Sequence, residues 1–172
     1  GSSMGGYLAF ELWRQARERI PAMALVGTRA TADSPEQRLA RDDSIRLLGE
    51  AGREPFWREL APRLFAEGVD SAVVARAHEL ALAQRITALV TAQETIRDRV
   101  DSRPTLAAID VPVLVLVGDE DRLTPPADAE AMAGALTTAR LTRIPDAGHL
   151  APLERPETVA RELVSFLNEV AP

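Results

Sequence analysis

The chain contains short runs of apolar residues, separated by segments in which apolar residues recur with the period of a helix. Residues 22–26 form one such run between Pro21 and Gly27, and residues 111–117 form a longer, wholly apolar one. Runs without alternation are typical of strands buried on both faces of a parallel sheet. A third strand, with some alternation, is predicted over residues 140–144.

Between these runs, apolar residues recur with the helical period. The spacing predicts helices over residues 4–18, 125–136 and 154–170, the last with Val159, Leu163, Phe166 and Leu167 on one face. Strand and helix therefore alternate, which favours parallel pairing with helical crossovers and an α/β fold.

The segment 35–101 contains no convincing strand and predicts about four helices, near 35–50, 55–66, 70–83 and 85–99. It is too long for a simple crossover, so we expect an inserted all-helical cap. The α/β core would then comprise residues 1–34 and 102–172. Phe56, Trp57, Leu60 and Leu89, with Leu64 and Phe65, are candidates for an apolar pocket lining, although cap-to-core packing explains most of them.

The amino-acid composition excludes several kinds of functional site and partner. The 172 residues include no cysteine and two histidines, which excludes a thiol nucleophile and disulfides and disfavours a metal site. A net charge of −6 argues against a nucleic-acid partner, and the arginines of residues 37–46 read as a solvated face. No apolar run is long enough to cross a bilayer. We expect a cytoplasmic protein with no cofactor, no metal and no membrane partner.

The first five residues read G-x-S-x-G, with Ser3 at the centre. A nucleophilic serine on a strained strand-to-helix turn needs small neighbours, and a helical pattern follows here. Alternatively, Gly1 to Ser3 are the remnant of a cloning tag before an initiating Met4.

Two further reactive side chains follow predicted strands. The strand 111–117 runs into a loop with two aspartates, of which Asp121 is better placed to orient a histidine and Asp119 is the fallback. An ordinary solvated acidic turn is the alternative. The strand 140–144 runs into a loop with His149, whereas His78 lies inside the helical insert and reads as a structural residue.

The order Ser3, Asp121, His149 is that of α/β-hydrolases. The segments Gly1–Tyr7, Val115–Asp121 and Ala147–His149 make the chain resemble the C-terminal portion of this family, in its small esterase, lactonase and C–C hydrolase group, over essentially all residues. The resemblance implies Ser3 as nucleophile, His149 as base and then acid, Asp121 as orienter, and the N–H of Met4 as half of an oxyanion hole. It implies a small-molecule substrate with an ester, thioester or lactone bond.

Members of that family carry further strands before the serine, and a loop that donates the second oxyanion N–H. We therefore expect an unpaired apolar edge at residues 22–26, covered by a missing N-terminal polypeptide or a second copy. Two alternatives remain: a catalytically incomplete piece that acts by assembly or binding, and haloperoxidase, acyltransfer or C–C hydrolase chemistry with the same triad.

Overall fold

The core of the protein is a three-stranded parallel sheet, seen in a computed structural model that describes residues 1–171. The strands are β1 (Met23–Val26), β2 (Val113–Gly118) and β3 (Ala139–Ile144), and they lie in the order β1–β2–β3. Met23 pairs with Val113, which pairs with Ala139, so the carboxyl ends of all three strands lie at one edge. The predicted α/β class, with three parallel strands and helical crossovers, is confirmed.

Helices connect the strands, and five α-helices lie between β1 and β2: four within residues 35–98, where the periodicity predicted four, and a short one at residues 103–106. Among residues 1–171, no helix combines the length and the apolar character that crossing a bilayer requires. The helices are α1 (Met4–Ala16), α2 (Pro35–Glu50), α3 (Arg53–Leu60), α4 (Ser71–Leu82), α5 (Ile86–Asp98), α6 (Arg103–Leu106), α7 (Pro126–Ala135), α8 (Ala151–Glu154) and α9 (Pro156–Val170), with 3₁₀ turns at Arg17–Arg19 and Ala61–Arg63.

Prolines shift the bounds of two predicted helices. The helix expected over 55–66 ends at Leu60, and a 3₁₀ turn that contains Pro62 follows. The helix expected over 154–170 is interrupted at Arg155, whose φ is −136°, directly before Pro156. Pro156 disfavours the helical conformation in its predecessor Arg155, whereas Ala61 keeps helical angles and Pro62 acts by removing a backbone donor.

The side chains of β2 are all buried and alternate between two layers. Val113, Val115 and Val117 pack on the layer that contains α1 and α7, and Leu114 and Leu116 pack on the layer of α9. The sheet is therefore covered on both faces, as its continuous apolar sequence predicted.

One residue of α9 departs from its predicted face. Val159 and Phe166 are buried and Leu163 is partly buried, but Leu167 is 60% exposed. The buried stripe follows residues 159, 163, 166 and 170, and Leu167 lies one position beyond its border.

The outer edge of β1 is not bare, so the prediction of an unpaired edge at residues 22–26 is wrong. Gly1 N donates to the carbonyl of Ala24 at 2.7 Å, Val26 N donates to Gly1 O at 2.9 Å, and Ser3 N donates to Val26 O at 2.8 Å. The first three residues thus lie beside β1. Helix α1, which follows these residues, carries two exposed apolar side chains, Leu8 at 47% and Leu12 at 59%.

Replacing Gly118 by alanine tests how closely the end of β2 approaches the loop after β3. A Cβ at Gly118 would lie 2.2 Å from Gly148 O and 2.3 Å from Ala147 O, so the backbone would have to move. We expect Gly118→Ala to lower the free energy of unfolding by about 1–3 kcal/mol, measured by urea denaturation.

The matched control is Gly134→Ala inside α7, where an added Cβ meets nothing within 4 Å. This variant should leave the free energy of unfolding unchanged or raise it by up to about 1 kcal/mol. Equal free energies of unfolding for the two variants would show that the close approach of Gly118 to Ala147 and Gly148 does not exclude a side chain.

Candidate active site

Ser3 lies on a strained turn between the segment beside β1 and helix α1. Its φ is 49° and its ψ is −115°, a conformation that costs a non-glycine residue on the order of 1–3 kcal/mol. Two hydrogen bonds hold the turn: Ser3 N donates to Val26 O at 2.8 Å, and Thr28 Oγ1 donates to Ser3 O at 2.9 Å. The serine side chain is thereby presented at the carboxyl end of β1.

The structure brings Ser3, His149 and Asp121 into one chain of hydrogen bonds. Ser3 Oγ lies 2.8 Å from His149 Nε2, and His149 Nδ1 lies 2.9 Å from Asp121 Oδ2. The side chain of Asp121 is 0% exposed and that of His149 is 4% exposed. Three loops that are far apart in sequence therefore place a hydroxyl, an imidazole and a carboxylate in contact.

Asp121 is buried but well supplied with donors. Its Oδ1 accepts from Leu123 N and Thr124 N, both at 2.8 Å, and its Oδ2 accepts from Thr124 Oγ1 at 2.7 Å. Burial by itself raises the pKa of the Asp121 carboxyl, but the hydrogen bond and charge of His149, with the donors of Thr124, outweigh burial and lower that pKa. The carboxylate accepts only, so His149 Nδ1 carries the hydrogen and Nε2 accepts from the Ser3 hydroxyl.

Sequence reasoning missed two residues of this centre. Thr124 is buried, donates to Asp121 and has its Oγ1 3.3 Å from His149 Nδ1. Gly27 has a φ of 52°, and a Cβ there would lie 3.4 Å from Asp121 Oδ2 and 3.5 Å from His149 Nδ1. The available signals were the spacing of Thr124 after an aspartate, typical of a side-chain turn, and a glycine that ends β1.

The fallback acid, Asp119, is wrong. Its side chain is 35% exposed and forms an ion pair with Arg143 of β3. Asp119 N donates to Ile144 O, so this residue still continues the sheet towards β3, and the chain turns back to the histidine only at Asp121.

His78 lies in α4, outside this chain of hydrogen bonds. Its Nε2 lies 2.8 Å from Glu54 Oε2, and its ring stacks on Trp57 with 5.1 Å between centroids. The hydrogen bond from His78 lowers the pKa of the Glu54 carboxyl. These contacts join α3 to α4, in agreement with the structural interpretation of this histidine.

Met4 is the first residue of α1 and directly follows Ser3. The first N–H groups of a helix have no acceptor within the helix and carry its positive dipole end. The Met4 N–H is one of these groups, so it is suited to a negative charge that develops beside Ser3.

A cavity of about 370 Å³ opens onto Ser3 and His149 and is lined mostly by apolar side chains. The predicted lining residues Phe56, Trp57, Leu60 and Leu89 all contribute to it, and so does Leu64. Phe65 is not among the lining residues; it packs edge-on against Trp57 with 6.2 Å between ring centroids. Polar lining residues that were not predicted include Tyr7, Arg29, Arg41, Arg53 and Gln93.

Arg41 corrects the interpretation of residues 37–46 as a solvated face. Its side chain is only 19% exposed and donates from Nε to Asp33 Oδ2 at 3.2 Å and from Nη1 to Gln93 Oε1 at 3.0 Å. Both partners are distant in sequence, so no local pattern distinguishes Arg41 from its exposed neighbours.

The loop that carries His149 is fixed by a buried glutamate. Glu154 accepts from Gly148 N at 2.9 Å through Oε1 and from Ala66 N at 2.8 Å through Oε2, and the residue is 6% exposed. Leu150 N also donates to Leu64 O at 3.1 Å. One carboxylate therefore joins the histidine loop to the segment that follows α3.

The sequence comparisons agree with this geometry. A model of the alpha/beta hydrolase family matches residues 1–162, and the chain belongs to this family. Within residues 1–171, no group of three or more His, Cys, Asp or Glu side chains is placed to hold a metal ion.

Several known proteins are similar over nearly the whole chain. A thermophilic esterase from Thermogutta terrifontis, solved with malate bound, superposes with a TM-score of 0.96 and 35% identity over 100% of this chain and 64% of its own. The enol-lactonase from Burkholderia xenovorans LB400 has a TM-score of 0.87 and 29% identity over 98% of this chain and 64% of its own. BpoC of Mycobacterium tuberculosis, provisionally named a non-heme bromoperoxidase, is 29% identical over 99% of this chain and 67% of its own. The chain spans about two thirds of the length of these relatives.

Replacing Glu154 by glutamine tests whether its two acceptors fix the histidine loop. The amide offers one acceptor oxygen, so one buried N–H, of Gly148 or of Ala66, would face another donor. We expect Glu154→Gln to lower the free energy of unfolding by about 1–3 kcal/mol in urea denaturation. Glu94→Gln, on the exposed side of α5, is the control and should change it by less than about 0.5 kcal/mol. A loss no greater than that of the control would contradict the role given to Glu154.

Proposed function

We propose that this chain carries the catalytic centre of a serine hydrolase that cleaves a small ester, thioester or lactone through an acyl-enzyme. The observation that supports this most is the chain of contacts from Ser3 Oγ to His149 Nε2, 2.8 Å, and from His149 Nδ1 to Asp121 Oδ2, 2.9 Å. A nucleophile, a base and an orienting group in this arrangement define nucleophilic acyl transfer on unrelated folds.

The geometry supports a sequence of two acyl transfers. Ser3 Oγ attacks the carbonyl carbon while His149 Nε2 takes the hydroxyl proton, and the charged Asp121 stabilises the imidazolium. The imidazolium then gives that proton to the departing alcohol or thiol, which leaves an acyl group on Ser3. A water molecule, deprotonated by the same Nε2, releases the acid and restores the serine. No step of this route requires a cofactor.

The oxyanion is proposed to form beside the N-terminus of α1. Met4 N–H follows the nucleophile directly and lies at the positive end of the helix dipole. One such donor contributes about 2.7–4 kcal/mol to stabilising the transition state in related chemistry.

The substrate class follows from the cavity. A largely apolar space of about 370 Å³ beside the serine suits a small organic ester. The similarity to an esterase and an enol-lactonase supports an ester or a lactone. The similarity to BpoC supports a second candidate, haloperoxidase chemistry at the same three residues.

We also propose that further polypeptide packs beside the segment of residues 1–3. Support comes from Leu8 and Leu12, which lie one turn apart on the exposed side of α1, 47% and 59% exposed. The sheet of the described residues also ends at this segment, and an open sheet edge recruits a neighbour.

An exposed apolar face should make the purified chain associate with itself. We expect sedimentation velocity to show oligomers of the wild-type chain and a larger monomer fraction for Leu12→Glu. Leu39→Glu is the control, because Leu39 is similarly exposed, at 65%, but lies on α2. A wild-type chain that stays monomeric at all concentrations would remove the support for this packing surface.

Covalent labelling tests the nucleophile without depending on turnover. A fluorophosphonate should add one adduct to the wild-type chain and none to Ser3→Ala, measured by intact mass, because the Ser3 hydroxyl is the one that contacts His149 Nε2. The control is Ser2→Ala, which removes the neighbouring exposed hydroxyl and should label normally. Hydrolysis of 4-nitrophenyl butyrate should follow the same pattern, and labelling that survives in Ser3→Ala would exclude this serine as the nucleophile.

A further inference from the structure

The polar residues of the Ser3 cavity are unevenly charged. Three arginines, Arg29, Arg41 and Arg53, line it, whereas the lining within residues 1–171 contains no aspartate or glutamate. A mostly apolar, partly enclosed space strengthens the field of these charges, because little water is present to screen them. The positive charge of the lining therefore favours the binding of an anion.

Arg41 is held on the cavity side by buried partners. Its Nη1 donates to Gln93 Oε1 at 3.0 Å, and Gln93 is itself a lining residue, 8% exposed. Its Nε donates to Asp33 Oδ2 at 3.2 Å. A second hollow, outside the first, is also lined by Arg41 and contains Asp43 and Glu59, but the hydrogen bonds of Arg41 run to Asp33 and Gln93. These two hydrogen bonds hold the guanidinium group of Arg41 at the cavity, and its remaining N–H groups are available to a ligand.

The charge of Arg41 is not cancelled by its acidic partner. Asp33 is fully buried and is shared with Arg99, whose Nη1 lies 2.8 Å from Asp33 Oδ1. Two guanidinium groups against one carboxylate leave one positive charge in excess. Arg99 also lies over the ring of Tyr7, a lining residue, at 4.3 Å from its centroid, so the excess charge borders the cavity.

Arg29 adds a second cation close to the reacting groups. It lines the same cavity as Ser3 and His149, and it follows by two residues Gly27, where an added Cβ would lie 3.4 Å from Asp121 Oδ2. The side chain of Arg29 is 11% exposed. Its Nη2 donates to Leu123 O at 2.7 Å, and its Nη1 lies 3.5 Å from Asp128 Oδ2. Its Nε is buried and has no hydrogen-bond partner within the described residues. A guanidinium has five N–H donors, so the contacts with Leu123 and Asp128 leave donors for a ligand oxygen in the cavity.

We propose that this cavity selects esters or lactones that carry a free carboxylate, which Arg41 and Arg29 bind while Ser3 attacks the carbonyl. The inference rests on the proposed hydrolase function and names its substrate class. A carboxylate accepts from guanidinium groups in pairs, and such charge-assisted bonds are about twice as strong as neutral ones.

The kinetic test compares two esters of similar length, mono-4-nitrophenyl adipate, which ends in a carboxylate, and 4-nitrophenyl hexanoate, which ends in a methyl group. We expect the wild-type chain to prefer the anionic ester in kcat/KM, after subtraction of the enzyme-free rate. Arg41→Gln should lower the ratio of kcat/KM for the adipate ester to kcat/KM for the hexanoate ester by about tenfold or more. Arg41→Lys should recover part of the loss, since it keeps the charge but not the planar pair of donors.

The matched control is Arg46→Gln, on the same helix but outside the cavity, where it pairs with Asp43 and is 62% exposed. It removes the same charge and should not change the ratio between the two esters. The free energy of unfolding of each variant shows whether the fold is retained, and Arg41→Lys keeps the proposal testable if Arg41→Gln fails to fold. Equal discrimination by wild type and by a folded Arg41 variant would overturn the inference and leave the hydrolase function intact.

A binding measurement separates this inference from the function on which it rests. Adipate itself should bind to the wild-type chain in calorimetry, with an affinity that falls in Arg41→Gln and with added salt, whereas hexanamide should show neither dependence. If adipate binding depends on Arg41 but neither ester is hydrolysed, the anion site stands and the hydrolase function fails. If adipate binds no better than hexanamide, the anion site fails.

Discussion

The close approach of two loops at the carboxyl edge of the sheet determines where the reactive groups lie. Gly118 ends β2 so near to Ala147 and Gly148 that no side chain fits between them. Two backbone hydrogen bonds continue this contact, Asp119 N to Ile144 O and Glu120 N to Ala147 O, and a third, Asp121 N to Gly118 O, closes the turn of the loop after β2. Because these bonds fix both loops to each other, Asp121 and His149 keep the separation that a 2.9 Å hydrogen bond requires.

Buried carboxylates recur around this edge, and each is stabilised differently. Asp121 receives two backbone N–H groups, a hydroxyl and the imidazole. Glu154 receives backbone N–H groups from two segments, and Asp33 lies between two arginines. A buried charge without partners would be strongly destabilising, so the positions of these three carboxylates constrain the segments that supply the donors.

The features that sequence predicts well are those with a local origin. β1 and β2 follow from uninterrupted apolar runs and β3 from partial alternation, and the positions of Asp121 and His149 follow from the rule that parallel strands end at one edge. Such rules do not predict which arginines line the cavity. Arg41 has polar neighbours in sequence, and its contacts with Asp33 and with Gln93, the latter 52 positions away, turn it inward. Glu154 was missed for the same reason, since one of its donors, Ala66 N, lies 88 positions away. Thr124 differs, because its partner Asp121 is three residues away and gave a local signal.

Buried polar contacts also limit how the helices α2–α5 can move over Ser3. Asp33 ties α2 to the loop after β1 through Arg41, and Glu154 ties the segment after α3 to the histidine loop through Ala66 N. Lifting these helices as one body would leave both carboxylates short of donors, at a cost of about 1–3 kcal/mol for each unsatisfied group. A substrate has another way in, because Arg53 and Leu80 line the cavity and are themselves exposed. Entry beside these two exposed side chains leaves the contacts of Asp33 and Glu154 in place, so the cavity can fill while the hydrogen bonds of Ser3, His149 and Asp121 stay aligned.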